Sequence, residues 1–178
     1  MNFLQHVKRC LTALALVAIF GLLPTFTRAN GSDVLLNIPA LNISTPIVEI
    51  KIKQFPNGEL TWDTQNLGMN VGHLEGTAWV DAPGNIVLGA HSELAKRQEG
   101  IFYNLDQLAL GDEIQLIQGT ETREYLVTQA YEVEITDMAP VYPTTTDRIT
   151  LITCDTGSYD PATGKYNKRL IVVAERRS

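Results

Sequence analysis

The sequence predicts an all-β domain, and three observations carry that prediction. From Val34 onward the chain is a series of short apolar segments, no long stretch carries the 3.6-residue period of an amphipathic helix, and turn-forming residues separate the segments. Such strands close into a barrel or a sandwich, because closure pairs backbone groups that would otherwise form open edges. An apolar fraction of 44% and a charged fraction of 19% over 178 residues suit one globular domain with a real core.

Taken in order, strands are expected at residues 34–38, 45–53, 85–91, 113–118, 123–134, 148–153 and 169–175. Their boundaries fall at Pro39, Pro56-Asn57-Gly58, Pro83-Gly84-Asn85, Gly111-Asp112, Gly119, Pro140, Pro143 and Gly157, residues that fix φ or tolerate positive φ. Short helical turns are expected at 66–72 and 101–108. In the second, Phe102, Leu105, Leu108 and Leu110 are spaced to lay one face on the sheet.

The N-terminus has a different composition. Lys8 and Arg9 precede an apolar run over residues 10–23, Pro24 breaks it, and Thr27-Arg28-Ala29 offers a small residue for cleavage. Residues 1–29 are therefore expected to be a signal peptide or an N-terminal membrane anchor, with residues 30–178 outside the cytoplasm. Removing Lys8, Arg9 and Arg28 takes the formal charge from −6 to −9. So acidic a domain argues against nucleic acid as a partner.

The same cut removes Cys10 and leaves Cys154 unpaired, which excludes an intramolecular disulfide. With His73 and His91 the only other soft ligands, the usual zinc set is incomplete, and Glu93, Glu99 and Asp160 are loose loop carboxylates. No metal and no cofactor is expected.

Strand parity gives the first chemical inference. In an extended segment Thr150, Ile152 and Cys154 share one face, Leu151 and Thr153 the other, so the thiol emerges at a strand end. It lies beside the long loop 155–168, which contains Gly157, Pro161, Gly164, Tyr159 and Tyr166 and reads as a wall of a cleft. A thiol attacks as thiolate, which needs a cation or base nearby, and acyl transfer needs donors for the oxyanion. His91 closes one apolar run and Arg169 opens another, so both residue types stand at strand ends. By itself this constellation names no reaction, and Cys154 as an inert thiol in a non-catalytic β-barrel binding module remains open.

The motifs themselves resemble a known family, the sortases. Thr150-Leu151-Ile152-Thr153-Cys154 is similar to their Thr-Leu-x-Thr-Cys signature, and Arg169 follows Cys154 by fifteen residues, within the family's interval. The stretch His73-Leu74-Glu75-Gly76-Thr77-Ala78, Pro83-Gly84-Asn85 and the run ending at His91 resembles the segment that carries the sortase histidine. Phe102-Tyr103-Asn104-Leu105-Asp106, Leu108 and Gly111-Asp112-Glu113-Ile114 are similar to the family's central stretch, and the overall pattern is nearest class D and E members.

The resemblance implies a closed eight-stranded β-barrel with one or two short helices, residues 30–178 being the catalytic domain. It implies an exported cysteine transpeptidase that cleaves a Leu-Pro-x-Thr-Gly-like sorting signal through a Cys thioester. The partners would be surface proteins carrying that signal and an amine from a cell-wall precursor or a pilin lysine. Carried over residue by residue, Cys154 is the nucleophile, His91 the acid and base, and Arg169 the oxyanion or backbone donor. Thr153, Ile152, Ala90 and Tyr159 are the candidate substrate-binding residues. Two positions depart from the pattern: Ala90 stands where the family usually has Gly, and Ser92 where many members have a larger polar residue. An L,D-transpeptidase is disfavoured, because its signature places Arg two residues after the Cys, where this chain has Thr156.

Overall fold

The computed structural model describes residues 33–177, so the expected export segment at 1–29 lies outside the described residues. Along the chain the strands are β1 (Val34–Ile38), β2 (Ile43–Ile50), β3 (Ile52–Gln54), β4 (Leu60–Trp62), β5 (Val71–Leu74) and β6 (Asn85–Gly89). They continue as β7 (Glu113–Gln118), β8 (Glu121–Glu134), β9 (Arg148–Cys154), β10 (Tyr159–Asp160), β11 (Lys165–Tyr166) and β12 (Lys168–Arg176). Eight of them close into a barrel in the order β1-β2-β5-β6-β9-β12-β8-β7, while β3–β4 and β10–β11 form separate two-stranded ribbons. The pairs β2/β5 and β6/β9 are parallel and the other barrel pairs antiparallel.

Alternation along the strands builds two apolar layers. Leu36, Ile86, Leu88, Ile114, Leu116, Tyr125, Ile149, Leu151 and Val172 belong to the main core. The residues between them on β5, β6 and β9 face the other way. There Ile50, Leu67, Leu74 and Val87 form a second cluster, packed against Trp62, Val141 and Ile152. The run Ile86-Val87-Leu88 is therefore apolar throughout because both faces of β6 are covered, as is usual for parallel strands. Each buried Leu or Ile contributes about 1.5–3 kcal/mol relative to exposure.

The expected strands are present, with ends shifted, and the differences have local causes. The segment 66–72 is a turn and not a helix: Leu67 N donates to Thr64 O, Asn70 N donates to Leu67 O, and β5 follows at once. The β5 sequence Val-Gly-His-Leu lacks an alternation signal. Gly72 is required there because a Cβ would come within 2.2 Å of the Ile50 side chain. The expected strand 45–53 breaks after Ile50, and its tail becomes β3, hairpinned to β4 across Pro56-Asn57-Gly58 with Gly58 at φ 85°. At 101–108 the helical turn is a single 3-10 turn, Leu105–Gln107. Phe102, Leu105 and Leu108 are buried as expected, but Leu110 is exposed beyond the turn.

Asn85 ties the barrel to the segment that enters β9. Its Nδ2 donates to the carbonyls of Pro140 (2.9 Å) and Tyr142 (3.0 Å), and its Oδ1 accepts from the Thr150 hydroxyl at 2.7 Å. Replacing it leaves buried polar groups without partners, at about 1–3 kcal/mol for each. Asn85→Ala is therefore expected to lower unfolding stability by several kcal/mol, read as a drop in the urea midpoint with an unchanged m-value.

Candidate active site

Cys154 is the last residue of β9, and Arg169, the second residue of β12, is its direct cross-strand partner. Directly opposed residues lie on the same face of a sheet, so thiol and guanidinium project together. Ile171 opposite Ile152 continues that face, and Val133 of β8 stands beside Arg169 on the other side. His91 lies two residues beyond the end of β6, in line with Val87 and Gly89 and opposite in parity to the core residues Ile86 and Leu88. All three polar side chains thus share the outer face of the barrel.

Thr153, of opposite parity, is buried, and its hydroxyl donates to the Ala90 carbonyl at 2.9 Å. Ala90 N in turn donates to Ile152 O at 3.2 Å, so the chain leaving β6 is fastened to the end of β9 just before the thiol. The Thr153 side chain therefore acts on strand alignment.

A cleft of about 610 Å³ opens over this face. Gly89, Ile152 and Ile171 floor it, Leu60, Trp62 and Thr64 stand on one side, and Ile135, Met138 and Val141 on the other. Ala90, His91, Thr153, Cys154 and Arg169 also line it. Of the candidate substrate-binding residues, Ile152, Thr153 and Ala90 line this cleft. Tyr159 does not line it; its ring packs on Tyr166 at 5.2 Å between centroids, with the Arg97 guanidinium over it at 4.8 Å.

Burial pushes the Cys154 thiol above its ordinary value; Arg169 opposes that rise and Glu93 adds to it. Burial and Glu93 thus favour the protonated thiol, and Arg169 favours the thiolate. The His91 Nε2 lies 3.2 Å from the Thr64 carbonyl. A carbonyl only accepts, so Nε2 carries the proton and donates, and the ring is held by the cleft wall and not by the thiol. Arg169 Nη1 donates to the Lys168 carbonyl at 3.2 Å, and among the described residues its guanidinium forms no ion pair with a carboxylate.

Other polar residues near the site are structural. His73 is buried against Trp79, with Nε2 2.8 Å from the Ala78 carbonyl and 2.9 Å from the Thr77 hydroxyl. Ser92 is buried with no partner for its hydroxyl, so support of the His91 ring comes from Thr64 instead. Among the described residues no group of three His, Cys, Asp or Glu side chains is arranged to hold a metal ion. Glu93 pairs with Arg97, and Asp160 accepts from Ala162 N within its own loop. Sequence reasoning missed Thr64 and Asn85, and it considered Glu93 only as a metal ligand. Parity with His91 points Glu93 toward the site, whereas nothing local marks Thr64, which acts through its carbonyl.

Comparison with known proteins bears on family and fold. A family model described as Sortase domain matches residues 36–177. Sortase A from Corynebacterium diphtheriae, as a lid mutant, aligns with a TM-score of 0.65 at 28% identity, over 85% of this chain and 73% of that chain. Sortase C-1 from Actinomyces oris aligns with a TM-score of 0.65 at 27% identity, over 84% of this chain and 76% of that one. The fold is also that of a Clostridium perfringens sortase D5, with a TM-score of 0.61 at 21% identity, over 83% of this chain and 79% of that chain. These neighbours span classes A, C and D, which leaves the subclass undetermined. Among curated proteins none matches the chain.

Because burial and Arg169 act on the thiol in opposite directions, their balance is measurable. The pH profile of Cys154 alkylation in substrate-free protein is expected to have its midpoint above the ordinary thiol value. Arg169→Ala should move that midpoint higher still, since it removes the cation that favours thiolate.

Proposed function

The chain belongs to the sortase family of cysteine transpeptidases, and from that premise we propose that Cys154 is its nucleophile, His91 its general acid and base, and Arg169 its oxyanion donor. The observation that carries the assignment is the register. Arg169 lies directly across from Cys154, and His91 projects on the same face of one cleft.

The substrate is a Leu-Pro-x-Thr-Gly-like sorting signal on a surface protein, laid extended along the apolar floor. Cys154 Sγ gives its proton to His91 and, as thiolate, adds to the threonine carbonyl carbon, and the carbonyl oxygen takes up the negative charge beside the Arg169 guanidinium. Collapse breaks the Thr–Gly bond. His91 gives a proton to the departing glycine amine, leaving an acyl thioester on Cys154. An incoming amine, from a cell-wall precursor or a pilin lysine, then attacks the thioester carbon while neutral His91 accepts its proton. The new amide leaves and Cys154 is free again.

Arg169 also sets the resting state of the thiol. Burial alone holds Cys154 protonated, and the guanidinium opposite favours the anion. A substrate carbonyl placed between them meets nucleophile and oxyanion donor together. The cleft walls exclude solvent from the reacting carbon, which strengthens both interactions.

Sortases are generally extracytoplasmic, and an acidic domain preceded by a basic-flanked apolar segment fits a catalytic domain outside the membrane, anchored or secreted. The test is incubation of residues 30–178 with a library of sorting-signal peptides and an added amine, the products being read by mass spectrometry. Amide products and a trapped Cys154 thioester are expected. Acid products alone would indicate a plain cysteine protease, and no thioester would indicate an inert barrel. Cys154→Ala should form no thioester at all. Arg169→Ala should lower turnover by roughly two to three orders of magnitude, the cost of losing one oxyanion donor of about 2.7–4 kcal/mol.

A further inference from the structure

The segments that follow His91 and Cys154 are joined to each other by side chains that the reaction above does not use. Glu93, two residues beyond His91, has a side chain only 7% exposed, and it forms an ion pair with Arg97 at 3.4 Å. Its second carboxylate oxygen accepts a hydrogen bond from the Tyr166 hydroxyl on β11. Arg97 lies over the Tyr159 ring, and Tyr159 packs on Tyr166, which closes a circuit of four side chains. The backbone under Arg97 is itself unusual: Lys96 and Arg97 are consecutive non-glycine residues at φ 60° and 59°. Left-handed residues of this kind persist where surrounding contacts hold them.

The circuit stands beside the nucleophile. Glu93 acts electrostatically on Cys154, as does Arg169 from β12, and the Cys154 thiolate acts in turn on Tyr166; the groups facing Glu93 itself are Arg97, Tyr166 and, across an isolated bridge, Glu99. The β10–β11 ribbon that carries Tyr166 is only two residues long on each strand; Asn167 N to Ser158 O closes its base, and Ile135 N to Asn167 O, Asp155 N to Lys168 O and Lys168 N to the Ser158 hydroxyl tie that base to the barrel side. A ribbon that short has little stability of its own.

We propose that Glu93 and Tyr166 form a positioning clip that holds the 155–167 segment against the thiol and thereby favours an amine over water as acceptor of the acyl group. The inference rests on the reading of Cys154 as nucleophile given above. With the clip closed, the thioester lies beneath an ordered loop. With it open, water reaches the thioester carbon, the threonine leaves as a carboxylic acid, and Cys154 is regenerated without a new amide bond. Amine attack needs a guided approach, whereas water needs only access, so loosening the loop shifts products toward the acid.

The test compares wild type, Glu93→Gln and Tyr166→Phe, both nearly isosteric changes, with circular dichroism melts to verify folding. Iodoacetamide alkylation of Cys154 is followed across pH, and the acid-to-amide ratio is measured with a sorting-signal peptide that wild type cleaves and triglycine as amine. Glu93→Gln removes a negative charge from beside the thiol. It should lower the alkylation midpoint and raise the rate at neutral pH about three- to tenfold. Tyr166→Phe keeps the carboxylate and should not lower the midpoint. Both variants should raise the acid-to-amide ratio about threefold or more. An active wild type whose two variants keep the wild-type ratio, or move the midpoint equally, overturns the clip alone. A wild type that forms no Cys154 thioester overturns the clip together with the functional reading.

Discussion

Parallel strands end on the same side of a sheet, and β6 and β9 are such a pair, with Leu88 beside Leu151 and Gly89 beside Ile152. The chain leaving β6 therefore reaches His91 on the side where β9 ends at Cys154. An antiparallel pairing would have put the imidazole at the opposite end of the barrel. The antiparallel neighbour β12 begins where β9 ends, which brings Arg169 to the same edge. Two strands ending and one beginning at a single edge is the arrangement that three side chains from distant parts of the sequence require. Thr153 and Ala90 fasten that edge through the 2.9 Å bond between hydroxyl and carbonyl. The pairing itself is held by apolar layers on both faces of β6.

Those layers set a conflict at Cys154, the proposed nucleophile. The packing that aligns the strands also half-buries Cys154, and loss of solvent favours the neutral thiol. A more exposed cysteine would ionise more readily, but the thioester proposed to form on it would lie open to water. Arg169 offsets part of the cost of burial and Glu93 adds to it, so the resting site favours protection over reactivity. Ionisation is thereby coupled to what enters the cleft, because a bound peptide changes the surroundings of thiol, imidazole and guanidinium together.

Much of this was legible in the sequence where physics is local. Alternation placed Cys154 and Ile152 on one face, the lone thiol and the strand-end His91 and Arg169 stood out, and the Thr-Leu-x-Thr-Cys run with its downstream Arg supplied the family. Non-local features were not legible. Gly72 reads as a strand breaker until the Ile50 side chain fills the space where its Cβ would lie. Asn85 reads as a turn residue, although its amide bonds carbonyls 55 and 57 residues away. The surroundings of Tyr159 were hidden for the same reason: it belongs to the long loop beside Cys154, and its ring packs against Tyr166 and Arg97.

The cleft follows from the same topology. A parallel pair cannot be joined by a tight turn, so each one needs a crossover that leaves the sheet and returns. Between β2 and β5 the crossover contains the β3–β4 ribbon and Thr64, which supply Leu60, Trp62 and the carbonyl that holds His91. Between β6 and β9 the chain passes through β7 and β8 and returns by way of Ile135, Met138 and Val141, the opposite wall. The connections that permit the parallel pairs thus rise on either side of the strands whose ends they bring together. In this barrel, alignment of the proposed catalytic edge and construction of the cleft are consequences of one choice of strand order.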